Sequence, residues 1–163
     1  MNALDTAGEA LAKLKIHEEA IGRLYKRYSE RFGEQRAFWC KLSREEYQHA
    51  KWIEMLEAEL GDDPAGFVAR GFPLAAIEHS LAFIEKLIAK AGSEAFTVVN
   101  AVSAALNLER GLLENKYFEA FETDRAKMKR LLALLEDKTR DHYASVQQVW
   151  QELSGAMSMR EPA

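Results

Sequence analysis

The stretch WCKLSREEYQHAKWIEMLEAEL, residues 39–60, decides the fold. Its apolar positions Trp39, Leu42, Ile53, Leu56 and Leu60 step by three and four, the spacing of one helical face. Glu46 and His49 fall on that same face. Carboxylates and imidazoles are costly on a buried stripe unless something compensates them. The preceding segment repeats the pattern as Leu11, Leu14, Glu18, Ile21, Tyr25, Tyr28 and Phe32. Further on, Ala95, Val98, Val102, Ala105, Glu109 and Leu112 make a third stripe, and Met128, Leu132, Leu135, Thr139, His142, Val146, Val149 and Leu153 a fourth. Every long helix thus carries polar residues where a hydrophobic seam should run.

Punctuation between the stripes defines five helices. The spacing predicts helices over about 8–32 and 35–60, ended by Gly33 and Gly61. The Gly/Pro-rich run GDDPAGFVARGFP, 61–73, leads to a shorter helix from Pro73 to about Lys90. Ser93 is read as the cap of the next helix, 94–121, and Thr123 or Asp124 as the cap of the last, 124–153. Short turns make the first two and the last two helices antiparallel pairs. The connection between the pairs is long enough to run back along the bundle. The expectation is an all-α four-helix bundle with one long crossover carrying the extra helix, as a single domain over 1–163. Its core spans about 8–153, and the segment 154–163 is a flexible tail.

The polar positions also agree in height. At 1.5 Å per residue, each hairpin places them roughly 18–28 Å from its own turn. Packed together, the hairpins bring Glu18, Glu46, His49, Glu109 and His142 to mid-bundle. Glu46 and His49, three apart, share one helix face and can hold one metal ion. Carboxylate with imidazole suits iron, manganese or zinc. Plainer readings exist for each residue. Glu18 reads also as a solvated glutamate beside Glu19, and Glu109 as a surface residue on a narrow stripe. His49 reads as a core histidine, and His142 as the partner of a buried glutamate without metal. Thr139 reads as a threonine bonded to its own backbone, and Tyr25 as core or as a donor to a carboxylate. His17 and His79 read as surface residues.

Composition narrows the function classes. The chain has 163 residues, with three prolines and nine glycines, which favours helix. A net charge of −4 gives no basic face for nucleic acid. The one basic run, Arg125, Lys127, Lys129 and Arg130, reads as the solvated start of a helix. Cys40 is the single cysteine, so neither an intrachain disulfide nor a thiolate metal pair forms within one chain. No run of 18 apolar residues exists and the first twenty residues lack a signal pattern, so a cytoplasmic protein without membrane contact is expected. Trp52, Phe83 and Trp150 need cover, and a homodimer is the expected form.

The pieces EEAIGRLYKRYSERF (18–32), REEYQHAKWIEML (44–56), SEAFTVVNAVSAALNLE (93–109) and LLEDKTRDHYASV (134–146) together resemble the ferritin-like superfamily, its rubrerythrin-like branch above all. The resemblance covers about residues 10–150. It implies a ferritin-like fold in which Glu18, Glu46, His49, Glu109 and His142 are metal ligands and catalytic residues. It implies one or two iron ions, or iron with manganese, with hydrogen peroxide, dioxygen or Fe(II) as substrate and an external electron donor. An enzyme of this kind is a non-haem iron oxidoreductase. The chain departs from the family in two places. Thr139 stands where the last Glu-x-x-His pair has its glutamate, and a rubredoxin-like site is ruled out by the lone cysteine. The departures leave open a second reading, a non-catalytic helical interaction or stress-related module with a degenerate or mononuclear metal site.

Overall fold

The computed structural model describes residues 3–62 and 66–159. Five helices follow one another: α1 (Ala3–Arg31), α2 (Arg36–Asp62), α3 (Leu74–Lys90), α4 (Val98–Glu114) and α5 (Ala126–Ser158). A 3-10 turn, Gly33–Gln35, joins α1 to α2. The result is a ferritin-like four-helix bundle. The crossover from α2 to α4 carries α3.

α1 packs along α2 on one side and along α3 on the other, while α4 pairs with α5 and α5 returns to α2. This central position explains the broad buried face of α1, where Ala10, Leu11, Leu14, Ala20, Ile21, Leu24, Tyr25 and Tyr28 are all inside. The buried apolar residues of all five helices join one cluster. Tyr25, Tyr28 and Trp39 form its aromatic centre, with ring centroids 5.0–5.4 Å apart for the two contacts to Trp39.

Several helix boundaries differ from the periodic reading. α2 runs through Gly61 to Asp62, since a helix tolerates one glycine near its end. α4 begins after Thr97 rather than Ser93: Thr97 Oγ1 accepts from Asn100 N–H at 3.3 Å, and Asn100 Oδ1 accepts from Thr97 N–H at 2.8 Å. That reciprocal capping box outcompetes the lone serine. α4 also stops at Glu114 instead of 121. Lys116 turns the chain with φ 53°, and Tyr117, Phe118 and Phe121 fold inward. α5 starts at Ala126 and continues past Leu153 to Ser158.

The early end of α4 releases residues for a small ribbon. β1 (Phe67–Ala69) pairs antiparallel with β2 (Phe121–Thr123), in the register Phe67 to Thr123 and Ala69 to Phe121. Phe67 and Phe121 stack at 5.2 Å. The ribbon ties the crossover to the turn between α4 and α5. In that way the chain fixes the α4–α5 pair against the α1–α2 pair.

Candidate metal centre

The core of this bundle contains charge. Glu18, Glu46, His49, Glu109 and His142 are each no more than 3% exposed. α1 supplies Glu18, α2 supplies Glu46 and His49, α4 supplies Glu109 and α5 supplies His142. All five meet in one connected set. His49 Nδ1 is 3.0 Å from Glu46 Oε2 and 3.4 Å from Glu18 Oε2. His142 Nδ1 is 2.7 Å from Glu46 Oε1 and 3.9 Å from Glu109 Oε1. The two imidazole rings stack at 4.9 Å. Glu46 therefore faces both histidines, one with each oxygen.

Neighbours fix these groups. The Tyr25 hydroxyl donates to Glu109 Oε1 at 2.6 Å, so Tyr25 is a donor to a carboxylate as well as core. Trp52 stacks on His49 with centroids 5.5 Å apart. Glu45 was not singled out in the sequence, yet its Oε2 lies 3.0 Å from His142 Nε2. A carboxylate on the outer nitrogen fixes the ring with Nδ1 pointing inward, where it can ligate once its proton is displaced, the usual support of a ligating histidine. Glu45 was legible only as the neighbour of Glu46, one helical step toward α5. Thr139 is buried, but its hydroxyl donates to Leu135 O at 2.9 Å, within its own helix.

Electrostatics reflects the crowding. Burial, and then the charge of Glu46, push Glu18 and Glu109 up to about 8. Burial also opposes ionisation of Glu46, but the two histidines overcome it and hold this carboxyl well below its usual range. Burial alone would lower both histidines. The Glu46 carboxylate reverses this, taking His49 up to about 11 and His142 up to about 9. Near neutral pH the set is one carboxylate between two imidazolium rings, flanked by two protonated acids.

The donor set fits a transition-metal ion. One ligand atom each from Glu46, His49 and His142 lies within 4.8 Å of the others. Bonds of about 2 Å to nitrogen and oxygen would draw these three atoms closer together around an ion. Glu18 Oε1 and Glu109 Oε2 are buried with no hydrogen-bond partner in the protein. An unsatisfied buried polar atom costs about 1–3 kcal/mol, a cost that cations bound nearby would relieve. Among the described residues there is thus one buried three-ligand cluster suited to one metal ion, with the carboxylates of Glu18 and Glu109 beside it.

Two other histidines separate. His79 is exposed, as its position suggested. His17 is not: it is 1% exposed, because α3 lies across α1 and covers it. Its Nε2 is 2.7 Å from Ser80 Oγ, and burial lowers the ring to about 4. The half-buried Cys40 lies on α2. Among the described residues no helix is long and apolar enough to cross a membrane. No family model matches the chain, and no significant match is found among curated proteins or solved structures.

Proposed function

We infer that the protein holds iron at Glu46, His49 and His142 and uses it in oxidase, peroxidase or ferroxidase chemistry. The observation that carries this reading is the burial of two histidines and three glutamates in mutual contact at the centre of the bundle. A purely structural role would not favour such a set, because an apolar core of similar volume is often as stable or more so. Manganese and zinc suit the same donors.

Each residue has a role in this reading. Glu46, His49 and His142 give the ligand atoms. Glu18 and Glu109 add negative charge and extra oxygen donors once deprotonated. Tyr25 fixes the orientation of Glu109 through the 2.6 Å hydrogen bond. Glu45 holds His142 by its outer nitrogen. The chemistry iron would supply when bound is electron transfer: one hydrogen peroxide takes two electrons and two protons to give two waters, one electron from the Fe(II) ion at this centre and the other from an external reductant. An external reductant then restores the ferrous state, since these 163 residues hold a single cysteine, Cys40.

A second reading, a non-catalytic module with a mononuclear site, is favoured by one observation. Thr139 bonds its own helix and gives the centre no oxygen. Anaerobic loading with Fe(II), followed by hydrogen peroxide with ferric absorbance as the readout, separates the two. Faster oxidation than for iron in buffer, lost in His49→Ala, is expected. Oxidation no faster than in buffer would leave the non-catalytic module as the better reading.

A further inference from the structure

A pocket of about 150 Å³ opens between α1, α3 and α4. Its polar lining comes from His17, Ser80, Asn107, Asn115 and Tyr117, and among the described residues no Asp, Glu, Lys or Arg takes part. His17 is held at Nε2 by Ser80, while its buried Nδ1 has no partner. A buried ring nitrogen left alone is unfavourable. The amides of Asn107 and Asn115 are each tied by one atom only: Asn107 Oδ1 accepts from Arg110 at 2.8 Å, and Asn115 Nδ2 donates to Gly111 O at 2.8 Å.

Gly111 supplies another part of the wall. It stands inside α4, where glycine destabilises a helix relative to alanine. Close approach of another element would explain it, but a Cβ at this position would meet only Asn115 Nδ2, at 4.0 Å. The missing side chain keeps the pocket open and makes no room for packing.

The pocket and the metal centre share a wall. His17 is bonded directly to Glu18, and Leu108, which lines the pocket, is bonded to Glu109. Along α1 and α4, one residue turns to the pocket and the next to the centre.

We propose that this pocket is the seat of hydrogen peroxide, bound at His17 beside the metal centre. The proposal rests on the peroxide-reducing form of the function above. Three features select the ligand. The lining carries no charged side chain, which favours an uncharged molecule. The volume of about 150 Å³ has room for several water-sized molecules, so the ligand is small. The imidazole, hydroxyls and amides reward a molecule that both donates and accepts hydrogen bonds. Peroxide does this at each end, whereas dioxygen gains nothing from them.

Two variants and two readouts test it. In zinc-loaded protein, where the metal has no redox chemistry, the imidazole NMR signals of His17 are followed during titration with hydrogen peroxide. A saturable shift is expected in the wild type and none in Gly111→Leu, whose side chain fills the pocket. Leucine favours helix over glycine, so α4 is retained. In iron-loaded protein, His17→Gln should raise the half-saturating peroxide concentration by about tenfold, the loss of one good hydrogen bond. The limiting rate and the iron content should not change. An unshifted His17 signal in the wild type, or the same peroxide dependence in all three proteins, overturns the proposal and leaves the metal centre intact. A wild type whose iron ignores peroxide overturns the functional reading instead, while a saturable His17 shift would still support the pocket.

Discussion

On the α1–α2 side of the centre, Glu18, His49 and Glu46 form a chain of contacts at 3.4 and 3.0 Å. On the α4–α5 side, Glu109 and His142 stand 3.9 Å apart, and Thr139 turns to its own backbone. His142 takes its closest anions from α2, at 2.7 Å from Glu46 and 3.0 Å from Glu45. The first hairpin is complete in itself, and the second borrows. Two hairpins with the same polar spacing are therefore not equivalent halves. α2 compensates the histidines of both, and Glu46 is the residue on which the comparison turns.

Glu46→Ala should break it most severely. Both imidazoles would lose their common carboxylate in a buried setting. Removing one partner of such a group destabilises by about 3–5 kcal/mol. Urea unfolding of the metal-free variant should show this loss, and elemental analysis should show metal retention gone as well. An unchanged unfolding midpoint would mean that the histidines are neutral or paired otherwise.

pH is the next lever, and its sign is fixed by the raised groups. Glu18 and Glu109 rise from 4.5 to about 8, and His142 from 6.5 to about 9. A group raised in the folded state stabilises it below the unfolded value and loses that effect as pH climbs through the folded value. The metal-free protein should weaken from about pH 4.5, where the glutamates of the unfolded chain begin to ionise, up to about pH 9, by roughly 1 kcal/mol or more per unit. Metal affinity should move oppositely, because binding displaces these protons. Unfolding of zinc-free and zinc-loaded samples across this range checks both directions. Parallel pH dependence in the two samples would contradict the assignment.

Thr139→Glu sharpens the asymmetry. It returns a carboxylate to the α4–α5 side and should add a second, weaker metal equivalent, visible in an anaerobic Fe(II) titration. Two equal sites in the wild type would show that the borrowed contacts already suffice. A smaller effect is expected of Glu45→Gln, which keeps shape but removes the charge on His142 Nε2. Metal affinity should fall by about tenfold, typical of outer hydrogen-bond partners, with no change in unfolding midpoint. Cys40→Ser should leave metal content and peroxide reaction unchanged.

The helices and their polar residues were legible because both follow from one periodicity. Glu18, Glu46, His49, Glu109 and His142 interrupt stripes of three and four, which aligns them with the buried face of each helix. Residues whose role depends on a distant element were not legible. His17 lies just beside the α1 seam, and only the packing of α3 buries it. Glu45 looks solvated until α5 brings His142 to it. The β1–β2 ribbon pairs residues over fifty positions apart, and its demand for Phe121 is what ends α4 early. Thr97 lies behind Ser93, an earlier candidate cap, and only Asn100 three residues on, which completes its box, marks it out.

Calorimetric titration of the metal-free protein with zinc near pH 7, in two buffers of different ionisation enthalpy, tests the metal centre most directly, since it reads stoichiometry and protons together. One equivalent is expected, with about two protons or more released as His49 and His142 become ligands. The same titration of His49→Ala should show no comparable site. The absence of saturable binding, or equal binding in His49→Ala, would contradict a metal centre at Glu46, His49 and His142.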